Sequence, residues 1–261
     1  ISYSKFFLKS IQLYLLKLSL SYNKKTNISC LGLWHKRELH KQLSINMKRI
    51  YIIEDGGGGV IQNENPEKVN QILNSSNINY PISKKIIFLL FGNFRKDKGH
   101  LFITSVWKKK FDSFYDPILW IVGHDEEDLS KEITELNARN IIISNSYVDS
   151  DKISTVYQKS DFAILPYLSS YRGGSGPLMK GAFSNGKYAL VANVSEMGRI
   201  AVEEGLGKAF IAEDADSLTN CVRKVQKLDK ESLEKVIMMS NKYSNDRNWE
   251  YVGKEFIGSL S

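Results

Sequence analysis

Cations and glycines crowd one stretch of the chain, Phe91-Gly92-Asn93-Phe94-Arg95-Lys96-Asp97-Lys98-Gly99-His100. Gly92 directly follows an apolar run, so a ligand can approach the backbone closely there. Arg95, Lys96 and Lys98 then precede a segment of helical period, whose amino end favours anions. The combination suits a diphosphate, although a solvated, lysine-rich connection between strand and helix reads equally well from this stretch alone. A second candidate is Tyr171-Arg172-Gly173-Gly174-Ser175-Gly176-Pro177-Leu178-Met179-Lys180. Proline favours the first position of a helix and Ser or Gly the place before it, so a helix is expected to start at Pro177. The small residues ahead of it either offer backbone N–H groups to a phosphate or make only a tight turn. The Gly-Lys-Ser/Thr ending of a P-loop is absent.

Other chemistries find little support. Gly56 to Gly59 follow a strand-like segment, but Val60 to Pro66 does not open a helix, so these glycines read as a hinge and not a dinucleotide fingerprint. His35, His40, His100 and His124 lack metal-ligand spacing, and the loose pair His35/His40 reads as the surface of a short helix. No Ser-His-Asp or Cys-His set can be assembled, and neither a metal nor a cofactor is expected. Cys30 and Cys221 are far apart, which fits two free thiols in a reducing, cytoplasmic setting.

The elements that would position these loops follow from hydrophobic patterning. With 261 residues, 42% hydrophobic and 25% charged, the chain has room for one large α/β domain and part of another. Its net charge of +7 admits nucleic acid, anionic lipid or a phosphorylated substrate and chooses none of them. Phe6 to Leu20 is apolar but interrupted by Lys9, Gln12 and Lys17, and is too short to span a bilayer. It reads as a buried or partly buried helix, with contact to a membrane surface as the alternative. Ile28 to Leu33 and Arg49 to Glu54 read as strands flanking a helix from His35 to Leu43, and a short helix is expected near Pro66 to Leu73. From Lys85 to about Ile211, six apolar runs alternate with segments of helical period: Ile86 to Phe91, Ile118 to Val122, Ile141 to Ile143, Phe162 to Leu165, Tyr188 to Val191 and Ala209 to Ile211. This pattern predicts a doubly wound, six-stranded parallel sheet of Rossmann type. Ligands bind such a sheet at the carboxyl ends of its strands, where both candidate loops fall.

Taken in order, these segments resemble the carboxy-terminal domain of the retaining, nucleotide-sugar-dependent glycosyltransferases of GT-B architecture. Lys85 to Thr104 matches that family's first strand and Gly…Lys-Gly loop, and Leu119 to Leu129 its second strand ending in Val-Gly. Tyr147 to Tyr167 matches the segment ending in an acidic residue, a buried strand and Pro. Ser175 to Glu196 matches the glycine-rich turn, its helix and a Gly-Lys-led strand, and Trp249 to Ile257 the closing helix. The resemblance covers roughly residues 28–257. It implies a donor-binding domain over 61–245, a remnant of the acceptor-side domain and hinge over 1–60, and a closing helix over 246–261. It further implies that Gly92, Arg95, Lys98, Ser175, Gly176, Pro177 and Leu178 hold the donor diphosphate. Tyr147, Val148 and Gly181 fall where the family frames nucleobase and ribose.

The activity so implied is transfer of a hexosyl-type sugar from a nucleoside diphosphate to a saccharide or lipid-linked acceptor, in cell-surface polysaccharide synthesis. Two departures stand out. Asn93 occupies the commoner arginine position after the glycine, and Gly173 and Gly181 occupy the positions of two glutamates that contact donor sugar and ribose. The glycines favour a non-catalytic, nucleotide-sugar-binding partner subunit as the alternative, and a sugar-nucleotide epimerase of the same architecture is a third reading. Only about the last third of the amino-terminal domain matches, in Ile1 to Glu54. The expectation is a chain that binds nucleotide but transfers little alone, with apolar surface of its first helix uncovered. Nucleic-acid binding rests on charge alone and is not expected.

Overall fold

A computed structural model of the chain describes residues 3–53, 85–112 and 117–258, and of residues 3–11 and 13 only the backbone. The Gly56 to Gly59 hinge and the helix expected near Pro66 to Leu73 lie outside the described residues. Two compact units emerge, one within Ile1–Asp55 together with Glu250–Ser261, the other within Gly56–Trp249.

In the first unit, helices α1 (Tyr3–Tyr22) and α2 (Leu33–Leu43) accompany a parallel pair of short strands, β1 (Ile28–Cys30) and β2 (Ile50–Ile52). Leu20, Leu43, Ile45 and Ile50 form its small core. The Arg49 guanidinium pins the end of α1, donating to the carbonyls of Leu20 at 3.0 Å, Asn23 at 2.8 Å and Thr26 at 2.7 Å. The described side chains of the first helix show the uncovered apolar surface expected of it. Leu20 is buried, but Tyr14, Leu15, Leu16 and Leu18 are exposed, Tyr14 by 62%, because this core is too small to cover more of the helix. No helix among the described residues is long and apolar enough to cross a membrane. The strand read as Ile28 to Leu33 ends at Cys30, since Leu33 already belongs to α2.

The second unit holds the expected six-stranded parallel sheet. Its strands are β3 (Ile87–Phe91), β4 (Ile118–Gly123), β5 (Ile141–Asn145), β6 (Phe162–Leu165), β7 (Tyr188–Ala192) and β8 (Gly207–Phe210), in the order β5-β4-β3-β6-β7-β8. The connections carry helices α3 (His100–Lys110), α4 (Leu129–Glu135), α5 (Ile153–Gln158) and α6 (Met197–Glu203). After β8 come α7 (Ala215–Val225) and α8 (Lys230–Asp246); α9 (Trp249–Gly258), at the end of the described chain, falls from Glu250 onward in the first unit. Every residue of β4 is buried, which explains its unbroken apolar run. The two large indoles of this core keep their N–H groups satisfied: Trp107 donates to the Pro117 carbonyl at 3.1 Å and Trp120 to the Ser144 hydroxyl at 3.0 Å.

Between β6 and β7 the expected helix does begin at Pro177, but over Pro177–Ala182 it is a π-helical turn and not an α-helix. Such turns are rare and concentrate at functional sites. Strand order reverses between β3 and β6, so the crevice that this topology offers to a ligand opens between the carboxyl ends of those two strands.

Candidate functional site

Two loops border that crevice, one leaving β3 and one leaving β6. The first turns sharply at Gly92, whose φ of +116° is a conformation that side chains rarely adopt. A β-carbon placed at Gly92 would lie 3.2 Å from the Lys98 Nζ and 3.2 Å from Pro177 Cγ. Three of the sequence-derived site residues are therefore brought to one spot. The first loop closes at Gly99, with φ +75°, where a β-carbon would stand 1.9 Å from the Pro166 carbonyl oxygen. A backbone bond from Leu168 N–H to the Asp97 carbonyl, 2.9 Å, fastens the two loops together.

Lys98 is half-buried, and its ammonium makes no hydrogen bond or ion pair among the described residues. Burial, and then the charge of Arg95, push it below the ordinary lysine value. A partly desolvated cation without a counter-ion has most to gain from an anionic ligand. Arg95 stands differently. Its guanidinium grips the Asp97 carboxylate through both Nε, at 3.1 Å, and Nη2, and this hydrogen-bonded pairing raises its pKa further. Any phosphate contact would have to compete with that carboxylate. Asn93 is likewise occupied, donating its side-chain amide to Glu126.

The turn after β6 is built around Ser175, which is buried. Its hydroxyl meets the Tyr167 hydroxyl at 3.1 Å and accepts from Leu178 N–H at 3.3 Å. The Ser175 carbonyl accepts from Leu178 N–H at 3.1 Å and Met179 N–H at 3.0 Å. Leu178 therefore has no free amide to give a phosphate, and Pro177 has none by its chemistry. The N–H groups of Ser175 and Gly176 do remain without a partner among the described residues.

The residues assigned to base and ribose lie apart from one another. Tyr147 is 77% exposed and Val148 packs partly on the core, just beyond the edge strand β5. They share the sheet end with Lys98 but sit two strands away, roughly 10 Å at ordinary strand spacing. Gly181 is buried, and Tyr157 closes over it: a β-carbon there would be 2.2 Å from the Tyr157 hydroxyl oxygen.

Four residues of this site were not singled out by sequence: Asp97, Tyr157, Tyr167 and Tyr171. Tyr171 resembles Tyr157 in its role, since its hydroxyl donates to the Gly174 carbonyl at 2.5 Å and stands 2.8 Å from where a Gly173 β-carbon would be. The Arg-x-Asp spacing was the available signal for Asp97. The tyrosines gave none, because an aromatic at helical spacing reads as core.

His100 opens α3 directly behind the first loop. It is fully buried, packs at a tilt against Phe94 with centroids 4.9 Å apart, and shares a 3.1 Å hydrogen bond between Nδ1 and the Arg95 carbonyl. Burial pushes its pKa down to about 4. As a neutral ring it donates from Nδ1 and holds the loop from behind. Among the described residues, no three His, Cys, Asp or Glu side chains group closely enough to hold a metal ion.

Comparison with known proteins bears on the family and on the fold that carries this crevice. The family model of the glycosyl transferases group 1 matches residues 62–242. None of the curated proteins compared with the chain matches it significantly. A glycosyltransferase from Rickettsia africae superposes with a TM-score of 0.76 at 17% identity, over 91% of this chain and 63% of that one. Sucrose-phosphate synthase from Thermosynechococcus elongatus gives 0.72 at 14% identity, over 95% and 60%. The Anabaena protein HepE in complex with UDP gives 0.68 at 12% identity, over 90% and 63%. At these identities the likeness is one of fold. The chain spans less than two thirds of the length of each of these three structures.

Proposed function

The chain belongs to the glycosyl transferases group 1, and from that premise we propose that its crevice between β3 and β6 holds the diphosphate of a nucleotide-sugar donor. One observation carries the reading: the half-buried Lys98 ammonium, unpaired among the described residues, stands beside Gly92 and Pro177 at the topological switch point. As the bond from the sugar's anomeric carbon to the diphosphate oxygen breaks, negative charge collects on the leaving diphosphate. A fixed cation and the open N–H groups of Ser175 and Gly176 are suited to stabilise it there. In this reading Tyr147 lies along the base and Val148 beside it. The sugar, of hexosyl type, passes with retention to a saccharide or lipid-linked acceptor, in the setting of cell-surface polysaccharide synthesis.

The test is calorimetric titration with uridine and guanosine diphosphates. Lys98→Ala should weaken the better ligand by about 1.5–3 kcal/mol, the usual worth of a charged hydrogen bond. Unchanged affinity in a folded Lys98→Ala variant would remove the assignment. A second reading, a nucleotide-sugar-binding subunit without catalysis, draws on Gly173 and Gly181, where no carboxylate reaches the crevice. Donor hydrolysis or transfer assayed alongside binding separates the two, since the binding subunit retains the ligand and turns nothing over.

A further inference from the structure

The two glycines at 173 and 181 share a feature that their sequence does not show. Beside each stands a tyrosine hydroxyl, and each hydroxyl donates to a carbonyl of the same turn: Tyr171 to Gly174 at 2.5 Å, and Tyr157 to Pro177 at 2.8 Å. Tyr157 is the more firmly held of the two. It is 1% exposed, and its ring packs on Phe91, the residue before Gly92, with centroids 5.4 Å apart. A side chain at Gly181 would collide with three atoms of that ring and hydroxyl, at 2.2, 2.5 and 2.8 Å. Glycine at 181 is thus what admits the tyrosine.

One side chain therefore touches both borders of the crevice, the end of β3 through Phe91 and the start of the π-turn through the Pro177 carbonyl. Pro177 in turn lies against Gly92, next to Lys98. A carbonyl at the amino end of a helical turn accepts from an N–H further along that turn, and its second lone pair is left to take the phenol, which ties the turn to α5.

We propose that Tyr157 is a positioning residue for the diphosphate cradle: it fixes the Ser175–Pro177 turn against Gly92 and Lys98, and Gly181 is small in order to admit it. The inference rests on the reading of the crevice as a diphosphate site. It makes no use of Tyr157 touching the ligand. Removing the hydroxyl frees the Pro177 carbonyl and lets the turn drift relative to Lys98, so the loss falls on phosphate contacts and spares the base.

The experiment uses the full chain as Tyr157→Phe, Gly181→Ala, Tyr157→Leu and the double variant Tyr157→Leu/Gly181→Ala. Amide hydrogen exchange is read first, because it needs no ligand. Tyr157→Phe should speed exchange at Leu178 and Met179 about tenfold or more, while β4 and β7 amides keep parental rates. Titration with the better-binding nucleoside diphosphate and with its nucleoside follows. Tyr157→Phe should weaken the diphosphate about fivefold to thirtyfold and leave the nucleoside within about twofold. Gly181→Ala should weaken the diphosphate in the parent and be near neutral in the Tyr157→Leu background, the signature of a pair that acts through one contact.

Parental exchange rates at the turn in Tyr157→Phe would overturn the proposal, and so would equal losses for diphosphate and nucleoside or additive effects in the cycle. A parent chain that binds no nucleoside diphosphate would refute the diphosphate site itself. The exchange result still decides in that case whether Tyr157 holds the turn.

Discussion

Protonating His100 is the perturbation that the first crevice loop should tolerate least. The ring is buried, its Nδ1 is engaged with the Arg95 carbonyl, and its Nε2 has no hydrogen-bond partner among the described residues. A second proton would therefore sit on a nitrogen without an acceptor, with Lys98 adding an unfavourable charge and Asp125 and Asp97 offsetting part of it. The folded value of about 4 lies below the ordinary 6.5, so between them the unfolded chain binds more protons. Stability is then greatest above pH 6.5 and is lost as pH falls towards 4. The full separation is worth about 3 kcal/mol, and about 2 kcal/mol of it should be gone by about pH 5. Carboxylates held below their usual range, Asp112 and Glu213 among them, also lose stability on acidification, so the measurement must be a difference. Urea unfolding of the parent and of His100→Gln, at about pH 7.5 and about pH 5, isolates the imidazole. The variant should start lower by roughly 0.5–1.5 kcal/mol, for the lost bond to Arg95. It should then fall with acid by about 2 kcal/mol less than the parent. Equal acid slopes for the two proteins would refute the reasoning.

Two further outcomes are expected. Asp97→Asn removes a carboxylate from the crevice and releases the Arg95 guanidinium, so diphosphate affinity should rise about threefold or more by calorimetry at low salt; a fall would show that the pair is needed intact. Gly99→Ala places a β-carbon against the Pro166 carbonyl at a φ of +75°, so chemical denaturation should show a loss beyond the roughly 1–3 kcal/mol of the backbone conformation alone.

The sheet was legible because its four inner strands are buried on both faces and so read as apolar runs, with the connections between them keeping helical period. Gly92 and Lys98 were legible because a glycine ending a strand and a lysine opening a helix have local consequences. What escaped the sequence depends on distant neighbours. Arg95 looked as available as Lys98, and only the folded loop shows its guanidinium given to Asp97. Pro177 signalled a helix start correctly, but the π stagger of the turn it begins goes with a hydroxyl contributed by α5, twenty residues earlier.

Gly173 and Gly181 look alike in the sequence, as two glycines where the resemblance implies carboxylates, yet the surroundings of the two are not equivalent. At 173 the obstructing atoms are the end of Tyr171, a half-buried side chain that can swing outward by rotating about its own bonds. A larger residue there displaces a hydroxyl and a single bond to Gly174. At 181 the obstruction is the buried ring of Tyr157, wedged against Phe91 and tied to Pro177. A larger residue there has to move the ring, the π-turn and the end of β3 together. Position 173 is therefore open to change by itself, whereas position 181 is coupled to 157, and a carboxylate can occupy it only if the tyrosine is replaced as well. What glycine at 181 leaves room for is a buried strut, Tyr157, tied to the start of the π-turn and packed on the end of β3.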